Sequence, residues 1–504
     1  MLPFDSDTPG GPTVLPDLID RAARRWPDQV AVSTATERLT HAELAAAGRR
    51  GAAWLHALGV RRGQRVVIVG PSSVLLAALV YSVARIGAVF CLLHEQTRGR
   101  PLEHVLSDAE PALLLAEDPE ALALARDRGM STVDLDAAAA HVLAGDVPAE
   151  VPVVPLAVDP ACLIYTSGTT SAPKAVVSTH AQMVFSVTAI QSVLNYRADD
   201  IVYCPLPLSF DYGMYQLFLG AAGGAHVRLG RAAEAGPPLL RNLLDAQATV
   251  LAAVPSVAEN LVRLLARRPE RIPPLRLLTN TGAAMPPETL AELRSRIPSL
   301  RVQLMFGLTE CKRATIMPPD GDLERPGSSG RALPGTEVFA VSPAGDRLPP
   351  GEIGEVVVRG PNVMAGYWRH PELTAERFPL AEGLFPQLHT GDYGWLDEDG
   401  YLYFVGRLDD LYKERGFRVS ATEVEAAARR VPGVQRAAVL PPLDGEPAVV
   451  AVVGDVTPQD VLVGLRDEIE EFKIPRRCVV VAELPLTRNG KVDRKLLRAE
   501  VAHG

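Results

Sequence analysis

Hydroxyl side chains and a lysine are concentrated between Tyr165 and Lys174, in the run Tyr-Thr-Ser-Gly-Thr-Thr-Ser-Ala-Pro-Lys. Hydroxyl groups, exposed backbone N–H groups and an ammonium suit a bound polyanion such as a triphosphate. The run lacks the pattern G-x-x-x-x-G-K-[ST], so it is not the phosphate loop of ordinary nucleotide hydrolases. Apolar segments at Ala161–Ile164 and Ala175–Val177 flank it, which favours a phosphate-holding loop between two strands over a flexible linker.

Alternating strands and helices would position this loop. Gln64–Gly70 is typical of a buried strand with a glycine exit, and residues 72–86 are typical of an alanine-rich helix. The same succession recurs in Ala112–Ala116 with Pro119–Arg128, in Ile201–Cys204 with Tyr215–Ala222, and in Ala248–Val254 with Val257–Arg268. This alternation predicts an α/β fold with parallel sheets covered by helices.

Two later regions change character. Leu333–Gly360 is rich in Gly, Pro and Val, which predicts a small antiparallel unit. After Gly406, about a hundred residues follow a small α+β pattern, a reasonable size for a second domain. Ser420–Glu423 has the pattern of a capping box, and Thr457 precedes a proline at the first position of another predicted helix.

The composition excludes several classes of protein. The chain has 504 residues, so two or more domains are expected, and 51 basic against 60 acidic residues give a net charge of −9. That charge argues against a nucleic-acid partner or an anionic membrane surface. The longest apolar run, Val74–Ala84, is too short to cross a bilayer, and no secretory signal begins the chain, so we expect no membrane insertion and a cytoplasmic location. The five cysteines form no C-x-x-C pair and indicate neither a disulfide framework nor a zinc site.

Further short motifs lie on both sides of the loop. They are Leu39-Thr-His-Ala-Glu-Leu44, Gly282-Ala-Ala-Met-Pro286, Phe306-Gly-Leu-Thr-Glu310, Gly354-Glu355, Gly366-Tyr-Trp368, Thr390-Gly-Asp-Tyr-Gly394, Gly406-Arg-Leu-Asp409, Lys413-Glu-Arg-Gly416 and Gly490-Lys491. In this order and at this spacing the chain resembles the AMP-forming adenylating enzymes, which include acyl-CoA synthetases, peptide-synthetase adenylation domains and luciferases. The resemblance covers nearly the whole chain. It implies a large N-terminal domain over residues 1–406, a hinge at 407–409, and a small mobile α+β domain over 410–504.

The resemblance implies two half-reactions. A carboxylate attacks the α-phosphate of ATP and gives an acyl-adenylate and pyrophosphate. A thiol, usually the phosphopantetheine of CoA or of an acyl or peptidyl carrier protein, then displaces AMP. Because the first step joins two anions, it needs cations, Mg²⁺ and oriented hydrogen-bond donors.

Residues of the large domain would hold the nucleotide. The phosphate ligands implied are Thr166, Ser167, Gly168, Thr169, Thr170 and Lys174. The adenine would lie against Gly282, Ala283, Ala284, Phe306 and Gly307, with Phe306 stacking on it. Thr309 would lie near the α-phosphate, Glu310 would hold Mg²⁺, Asp392 would bind the ribose hydroxyls, and Arg407 would contact the nucleotide. Taken alone, a Thr-Glu pair is more often a helix start, and the aspartate of a Thr-Gly-Asp sequence is more often a turn residue.

The small domain would supply a different group to each half-reaction. Lys491 would place a point charge beside the α-phosphate and the carboxylate during adenylation. Asp409 would be the pivot of a rotation that exchanges the face carrying Lys491 for the face carrying Lys413 and Arg418. Gly416 would let pantetheine pass close to the backbone, with Arg418 beside the same tunnel.

Three positions depart from the family pattern. Ser171 and Ala175 replace common glycines of the phosphate loop, which would stiffen it without removing a phosphate ligand. Phe306 replaces the usual tyrosine, which keeps the stacking surface and loses the hydroxyl. The enzyme is expected to be active, and these three replacements are expected to alter its rate.

The acid pocket would be lined by Leu206–Tyr215, Val254–Ser256, Asn280–Ala283 and Phe306–Arg313. Phe210 matches the position of an aromatic gate. Asp211 would pair with an α-amino group of the substrate, or it would cap a turn. Tyr212 and Tyr215 would line the pocket or pack in the core. Lys312 and Arg313 would face a second acidic group of the substrate, or solvent.

Three functions follow from these residues. The first is a stand-alone ligase that adenylates an amino-bearing or aryl carboxylic acid and loads it onto a carrier protein or CoA. The second is an acyl-CoA or aryl-CoA ligase for an acid without an amino group, which Gly416–Ser420 favours. The third is a relative that uses the adenylate for other chemistry, such as activation of nitrite.

Overall fold

The computed structural model describes residues 11–147, 153–166, 173–383, 385–407, 411–414, 417–443, 446–469, 473–487 and 492–503. Its helices are α1 (Leu15–Arg25), α2 (His41–Ala57), α3 (Val74–Arg85), α4 (Gly99–Ala109), α5 (Pro119–Arg126), α6 (Leu135–Val142), α7 (His180–Leu194), α8 (Asp211–Gly223), the 3₁₀ helix η1 (Ala232–Ala235), α9 (Leu239–Asp245), α10 (Pro255–Arg267), α11 (Pro287–Arg296), α12 (Gly321–Glu324), α13 (Pro371–Arg377), α14 (Ala421–Arg430), α15 (Pro458–Glu468) and α16 (Arg494–His503).

The strands alternate with these helices along the chain. They are β1 (Val30–Ser33), β2 (Arg38–Thr40), β3 (Arg65–Val69), β4 (Val89–Leu93), β5 (Leu113–Ala116), β6 (Thr132–Asp134), β7 (Pro160–Thr166), β8 (Lys174–Thr179), β9 (Ile201–Cys204), β10 (His226–Leu229), β11 (Val250–Ala253), β12 (Leu277–Asn280), β13 (Arg301–Phe306), β14 (Thr315–Ile316), β15 (Ser328–Ala332), β16 (Glu337–Val341), β17 (Gly354–Arg359), β18 (Gly366–Tyr367), β19 (Leu380–Ala381), β20 (Phe385–Leu396), β21 (Tyr401–Arg407), β22 (Leu411–Glu414), β23 (Phe417–Ser420), β24 (Val434–Leu440), β25 (Val449–Gly454) and β26 (Arg477–Val480).

The chain folds into two compact units. Unit 1 comprises Met1–Arg325, Gly330–Glu337 and Val358–Leu388, and unit 2 comprises Pro326–Ser329, Val338–Val357 and His389–Gly504. The predicted α/β class, with a large N-terminal part and a smaller C-terminal part, is confirmed. The hinge at 407–409 stays a prediction, because residues 408–410 lie outside the described ranges.

Unit 1 contains a sheet in which β13, β12, β11, β9, β10 and β1 lie side by side in that order. Each neighbouring pair in this series is parallel. Because the strands are parallel, their carboxyl ends meet at one edge of the sheet, where α/β proteins bind their ligands.

A second sheet of unit 1 has the order β18-β8-β7-β4-β3-β5-β6. Its strands β7 and β8 are antiparallel and pair Thr166 with Lys174. The predicted strands on either side of the hydroxyl-rich run are therefore confirmed, and residues 167–172 between them lie outside the described ranges.

The core of unit 1 explains why α3 shows no polar face. Every residue from Val74 to Ala84 in this helix is buried, because α3 packs against α2 and α1 and also contacts β4. A helix covered on all sides is apolar all round. Ser73 ends the preceding loop and accepts a hydrogen bond from the Leu76 amide at 3.2 Å, which defines the start of the helix. None of the helices in the described part of the chain has the length and apolar composition that a bilayer crossing needs.

Unit 2 contains β20 and β21 as an antiparallel pair. It also contains a hairpin of β22 and β23 and a three-stranded sheet ordered β24-β25-β26. Half of the predicted capping box forms at α14. Ser420 accepts from the Glu423 amide at 3.4 Å, whereas the Glu423 carboxylate accepts instead from Lys473 at 2.6 Å.

Candidate active site

The four segments predicted to line the acid pocket all follow carboxyl ends of adjacent parallel strands. Leu206–Tyr215 follows β9, Val254–Ser256 follows β11, Asn280–Ala283 includes the end of β12, and Phe306–Arg313 begins at the end of β13. Since these strands lie side by side in the order β13-β12-β11-β9, the sheet brings the four segments to one edge.

Asp211 is the first residue of α8, four residues earlier than the predicted helix start at Tyr215. Gly213 allows this early start, because a Cβ atom there would lie 2.4 Å from the Pro207 carbonyl oxygen. Asp211 is 5% exposed, and its carboxylate accepts no hydrogen bond from any described residue. Asp211 follows the N-cap residue Phe210, and no described amide donates to its carboxylate, so the geometry gives no support to the turn-capping alternative.

Two neighbouring cations interact electrostatically with this carboxylate. Arg313 Nη1 is 3.6 Å from Asp211 Oδ2, too long for a hydrogen bond but close enough for an ion pair. The same nitrogen donates to the Lys312 carbonyl at 2.6 Å, and the Arg313 guanidinium lies 4.8 Å from the ring centre of Tyr212. Arg313 is 3% exposed and Lys312 is fully buried, so the alternative that they face solvent is wrong.

The Lys312 ammonium has no hydrogen-bond partner among the described residues. It lies 5.9 Å from the ring centre of Tyr215. Burial lowers the pKa of Lys312, and the negative charge of Asp211 opposes that shift. A buried ammonium without a hydrogen-bond partner is costly, so this position has the capacity to bind an anion.

Close packing of the main chain holds both cations in place. Lys312 has a φ of +60°, a left-handed conformation that a lysine adopts only under constraint. Gly307 lies beneath this turn, and a Cβ atom on it would be 2.2 Å from the Lys312 carbonyl oxygen. Asn362 Nδ2 donates to the carbonyls of Cys311 and Arg313 at 3.3 and 2.9 Å. The Lys312 and Arg313 side chains therefore point inward because Gly307 and Asn362 hold the backbone of the turn.

The three aromatic residues of the predicted pocket have different surroundings. Tyr212 is buried and its hydroxyl donates to the Thr279 carbonyl at 2.7 Å, which fastens α8 to β12. Phe210 is half-buried and meets the Tyr212 ring edge-on at 6.4 Å. Tyr215 is buried against Phe218 and against the Lys312 ammonium. Tyr212 thus packs in the core, whereas Tyr215 packs there and also contacts the unpartnered cation.

Glu310 follows β13 in the same turn. Its Oε1 accepts a hydrogen bond from the Tyr367 hydroxyl at 2.8 Å, and Oε2 has no partner in the described ranges. Those ranges contain no group of three or more His, Cys, Asp or Glu side chains that could form a metal cage. One carboxylate with a free oxygen fits Mg²⁺ that is bound mainly through nucleotide phosphates.

Other residues predicted to bind the nucleotide in unit 1 lie at strand ends. Thr166 ends β7, Lys174 begins β8 and Phe306 ends β13. Gly282 has a φ of +91°, and it is followed by the exposed residues Ala283 and Ala284. Thr309 lies directly before Glu310 in the turn after β13. Ser167, Gly168, Thr169 and Thr170 lie outside the described residues.

The predicted residues of unit 2 are described in part. Asp392 is buried on β20, with its amide donating to Thr390 Oγ1 at 3.0 Å, and it pairs with Arg407 at the end of β21. Lys413 on β22 pairs with Arg418 on β23. Asp409, Gly416 and Lys491 lie outside the described residues, so their roles stay predictions.

Two residues of the site had no assigned role in the sequence reasoning. Tyr367 belongs to the Gly-Tyr-Trp motif, so the motif signalled its importance but not its contact with Glu310. Asn362 carries no sequence signal, because its two bonds go to backbone carbonyls fifty residues away in the chain.

Comparison with known proteins agrees with this geometry. Residues 19–368 match the family described as AMP-binding enzyme, and residues 423–491 match the AMP-binding enzyme C-terminal domain. A feruloyl-CoA synthase from Amycolatopsis sp is 32% identical over 94% of this chain and 96% of that enzyme.

Solved structures give the same result. The structure of VinN with L-aspartate is 41% identical, covers 79% of this chain and 99% of VinN, and has a TM-score of 0.71. ATP-bound MatB from Rhodopseudomonas palustris is 29% identical, covers 96% of this chain and 98% of MatB, and has a TM-score of 0.84. The chain therefore belongs to the AMP-binding enzyme family, and it is an AMP-forming ligase that activates a carboxylic acid with ATP and transfers the acyl group to a thiol.

Proposed function

We propose that the acid this ligase activates is an amino dicarboxylic acid of the aspartate type. The observation that carries this proposal is a fully buried Lys312 ammonium that has no hydrogen-bond partner among the described residues. The adjacent Arg313 forms an ion pair with Asp211, whose carboxylate accepts no hydrogen bond from those residues. Among these residues, the Lys312 ammonium lacks a hydrogen-bonded anion, and the Asp211 carboxylate lacks a hydrogen-bond donor. A substrate that carries both a carboxylate and an ammonium, besides the carboxylate that reacts, supplies each of them.

The charges of the pocket support a second acidic group. Lys312 and Arg313 are two buried cations, and Asp211 is the buried carboxylate that Arg313 approaches at 3.6 Å. Removing charges from water is costly unless each is paired and hydrogen-bonded. A carboxylate of the substrate would accept bonds from the Lys312 ammonium and would compensate the excess positive charge.

The free acceptor capacity of Asp211 supports the amino group. A carboxylate can accept about four hydrogen bonds, and Asp211 accepts none from the described residues. An ammonium has three donors and would pair with both oxygens. The 41% identity to VinN, whose structure holds L-aspartate, agrees with this combination of groups.

For the adenylation step we propose roles for Glu310, for Lys174 and for the residues predicted to contact the adenine. Mg²⁺, when bound, would neutralise charge on the transferring phosphate. Glu310 would hold it through its free oxygen, and Lys174 would pair with phosphate oxygens at the start of β8. Gly282 to Ala284 would lie along the adenine, and Phe306 would stack on it. The roles of Asp392, Arg407, Lys413 and Lys491 stay as predicted from the family.

We propose a carrier-protein phosphopantetheine as the acceptor thiol. The phosphopantetheine thiol of such a carrier would hold the activated amino acid as a thioester. CoA is the second candidate, which the 32% identity to a feruloyl-CoA synthase favours. We also propose a cytoplasmic location, because all five cysteines are unpaired, as a reducing compartment would keep them.

The test is acid-dependent pyrophosphate release from Mg-ATP. The panel contains L-aspartate and its 3-substituted analogues, succinate as a diacid without an amine, alanine as an amino acid without a second acid, and an aryl acid. Stimulation by aspartate-type acids, with weak responses to succinate and alanine, is the expected result. Equal stimulation by succinate would remove the amino group from the proposal, and stimulation by ferulate-type acids alone would refute it. Single-turnover transfer of the product to holo-carrier protein or to CoA then identifies the acceptor.

A further inference from the structure

We propose that Tyr367 is a positioning residue, which fixes the Glu310 carboxylate for the magnesium–nucleotide complex and links it to Lys174 beside the phosphate loop. The proposal rests on the role proposed above for Glu310 as the magnesium carboxylate. It gives a role to Tyr367, which belongs to the Gly366-Tyr-Trp368 motif but has no role that the motif itself reveals.

The backbone around Tyr367 is held on both sides. The residue lies on the short strand β18, antiparallel to β8, and pairs with Val176. The Ala365 amide donates to the Val177 carbonyl at 3.0 Å, and the Trp368 amide donates to the Ala175 carbonyl at 2.8 Å. The Tyr367 amide donates to Thr374 Oγ1 at 2.9 Å. These bonds anchor Tyr367 to the strand that leaves the phosphate loop.

The same segment holds Glu310 at two points. The Met364 amide donates to the Glu310 carbonyl at 2.8 Å, and the Tyr367 hydroxyl donates to Glu310 Oε1 at 2.8 Å. A free glutamate side chain loses rotamer entropy when a ligand immobilises it. Because the bond from Tyr367 immobilises Glu310 when the protein folds, Glu310 loses little further rotamer entropy when the metal binds.

The ring of Tyr367 also meets a cation. The Lys174 ammonium lies 5.1 Å from the ring centre, a distance at which a cation and an aromatic ring attract each other. Arg377 bonds the Tyr367 side chain as well, and Phe378 packs edge-on against the ring at 5.5 Å. Tyr367 is only 7% exposed. One side chain thus contacts the metal carboxylate and the lysine that begins β8.

A purely structural tyrosine–glutamate bond would look similar in isolation, and unit 1 offers a matched example. Tyr203 on β9 donates to Glu234 Oε2 at 2.9 Å, and Asn242 donates to the same oxygen at 3.0 Å. Both Glu234 and Tyr203 lie outside the turn that carries Glu310. Tyr203→Phe therefore removes a bond of the same kind without touching the proposed magnesium carboxylate.

The experiment compares Tyr367→Phe, Tyr203→Phe and Glu310→Gln with the parent enzyme. ATP binding is measured by titration calorimetry with and without Mg²⁺, and the Mg²⁺ concentration for half-maximal pyrophosphate release is measured in parallel. We expect Tyr367→Phe to weaken ATP binding about tenfold with Mg²⁺ and to leave metal-free binding unchanged. Glu310→Gln should show a larger change of the same kind, and Tyr203→Phe should show none.

The outcomes separate the two proposals. Equal weakening of ATP binding with and without Mg²⁺ in Tyr367→Phe would mean that the tyrosine only maintains the fold, and it would overturn the inference. A parental magnesium dependence in Tyr367→Phe, beside a shifted one in Glu310→Gln, would overturn the inference while leaving Glu310 in its role. A parental magnesium dependence in Glu310→Gln would refute the role of Glu310 itself. Thermal unfolding of each variant verifies that it is folded.

Discussion

Asp200 and Asp211 belong to the same unit and are almost equally buried, at 2% and 5% exposure, but their carboxylates have opposite surroundings. Asp200 accepts from Arg276 Nε at 2.6 Å, from Thr249 Oγ1 at 2.8 Å and from the Arg197 amide at 2.8 Å. It also forms an ion pair with Arg276 Nη2. Asp211 accepts no hydrogen bond from a described residue and has only the loose ion pair with Arg313.

The cations show the same contrast, with Arg294 half-buried and Lys312 fully buried. Arg294 donates to both Asp320 and Asp322, whereas the Lys312 ammonium donates to no described residue. Folding satisfies buried charges that serve the fold, because an unsatisfied one costs stability. In this comparison, the Lys312 ammonium and the Asp211 carboxylate have no hydrogen bond from the described residues. Both lie at the carboxyl edge of the parallel strands, so we infer that they serve a ligand.

The largest effect on activity is expected from Lys312→Met, which removes the charge and keeps most of the volume. The specificity constant for an aspartate-type acid should fall about 100-fold, the equivalent of about 2.7 kcal/mol, because the second carboxylate loses its cation. Succinate should lose as much and alanine should lose little. Stability should not fall, since an unpartnered ammonium has been removed. Initial rates of pyrophosphate release and a urea unfolding curve measure the two quantities.

Asp211→Asn should have the next largest effect on activity. The specificity constant for aspartate should fall about 30-fold, or about 2 kcal/mol, because the substrate ammonium loses its carboxylate. Succinate should change by less than about threefold, since it has no ammonium to pair. Equal losses for aspartate and succinate would show that Asp211 acts only through Arg313.

Asp200→Asn tests the other side of the comparison. We expect unfolding to become easier by about 3 kcal/mol, with unchanged kinetics for every acid in the panel. Burial opposes the ionisation of Asp200, but the bonds from Arg276, Arg197 and Thr249 outweigh it and lower its pKa. The bonds to ionised Asp200 therefore stabilise the fold at pH values above the unfolded-state pKa of about 3.9. This stabilisation is lost as the pH falls through the lowered pKa of the folded state. Urea unfolding of parent and variant should converge in acid; a constant gap would contradict this.

The smallest effect is a pH dependence of substrate binding. Burial lowers the pKa of Lys312, with Asp211, Cys162, Glu310 and Cys311 opposing the shift. The ammonium that binds the second carboxylate is therefore lost at a lower pH than in an ordinary lysine. The KM for succinate, which has no amine of its own to titrate, should rise with pH below about 10.4 in the parent enzyme and stay flat in Lys312→Met. A parallel rise in both enzymes would assign the titration to another group.

Much of the fold could be predicted from the sequence, because strand and helix signals are local. The bounds predicted for β9 match the structure, and those for β5, β11 and α10 differ by one or two residues. The start of α8 was predicted four residues late, since it depends on how closely Gly213 approaches Pro207, a contact that periodicity does not reveal. Because α8 starts earlier than predicted, Asp211 lies in the first turn of this helix and not in the loop before it.

The candidate site was predictable only as a set of residue types in a known order. The sequence by itself determined the α/β class, the strands on either side of the phosphate loop, and the family, because each depends on local patterns or on motifs. It also predicted four segments that the sheet brings to one edge. It left Asp211, Lys312 and Arg313 with two interpretations each. The tertiary structure argues against one of the two interpretations for each residue, and the substrate-binding interpretation stays a proposal. Burial and hydrogen-bond partners are decided by the tertiary structure because they depend on residues far apart in the chain, such as Gly307 and Asn362 around the Lys312 turn. It also brought Tyr367 to Glu310 across fifty-seven positions, a contact that forms only when β18 pairs with β8.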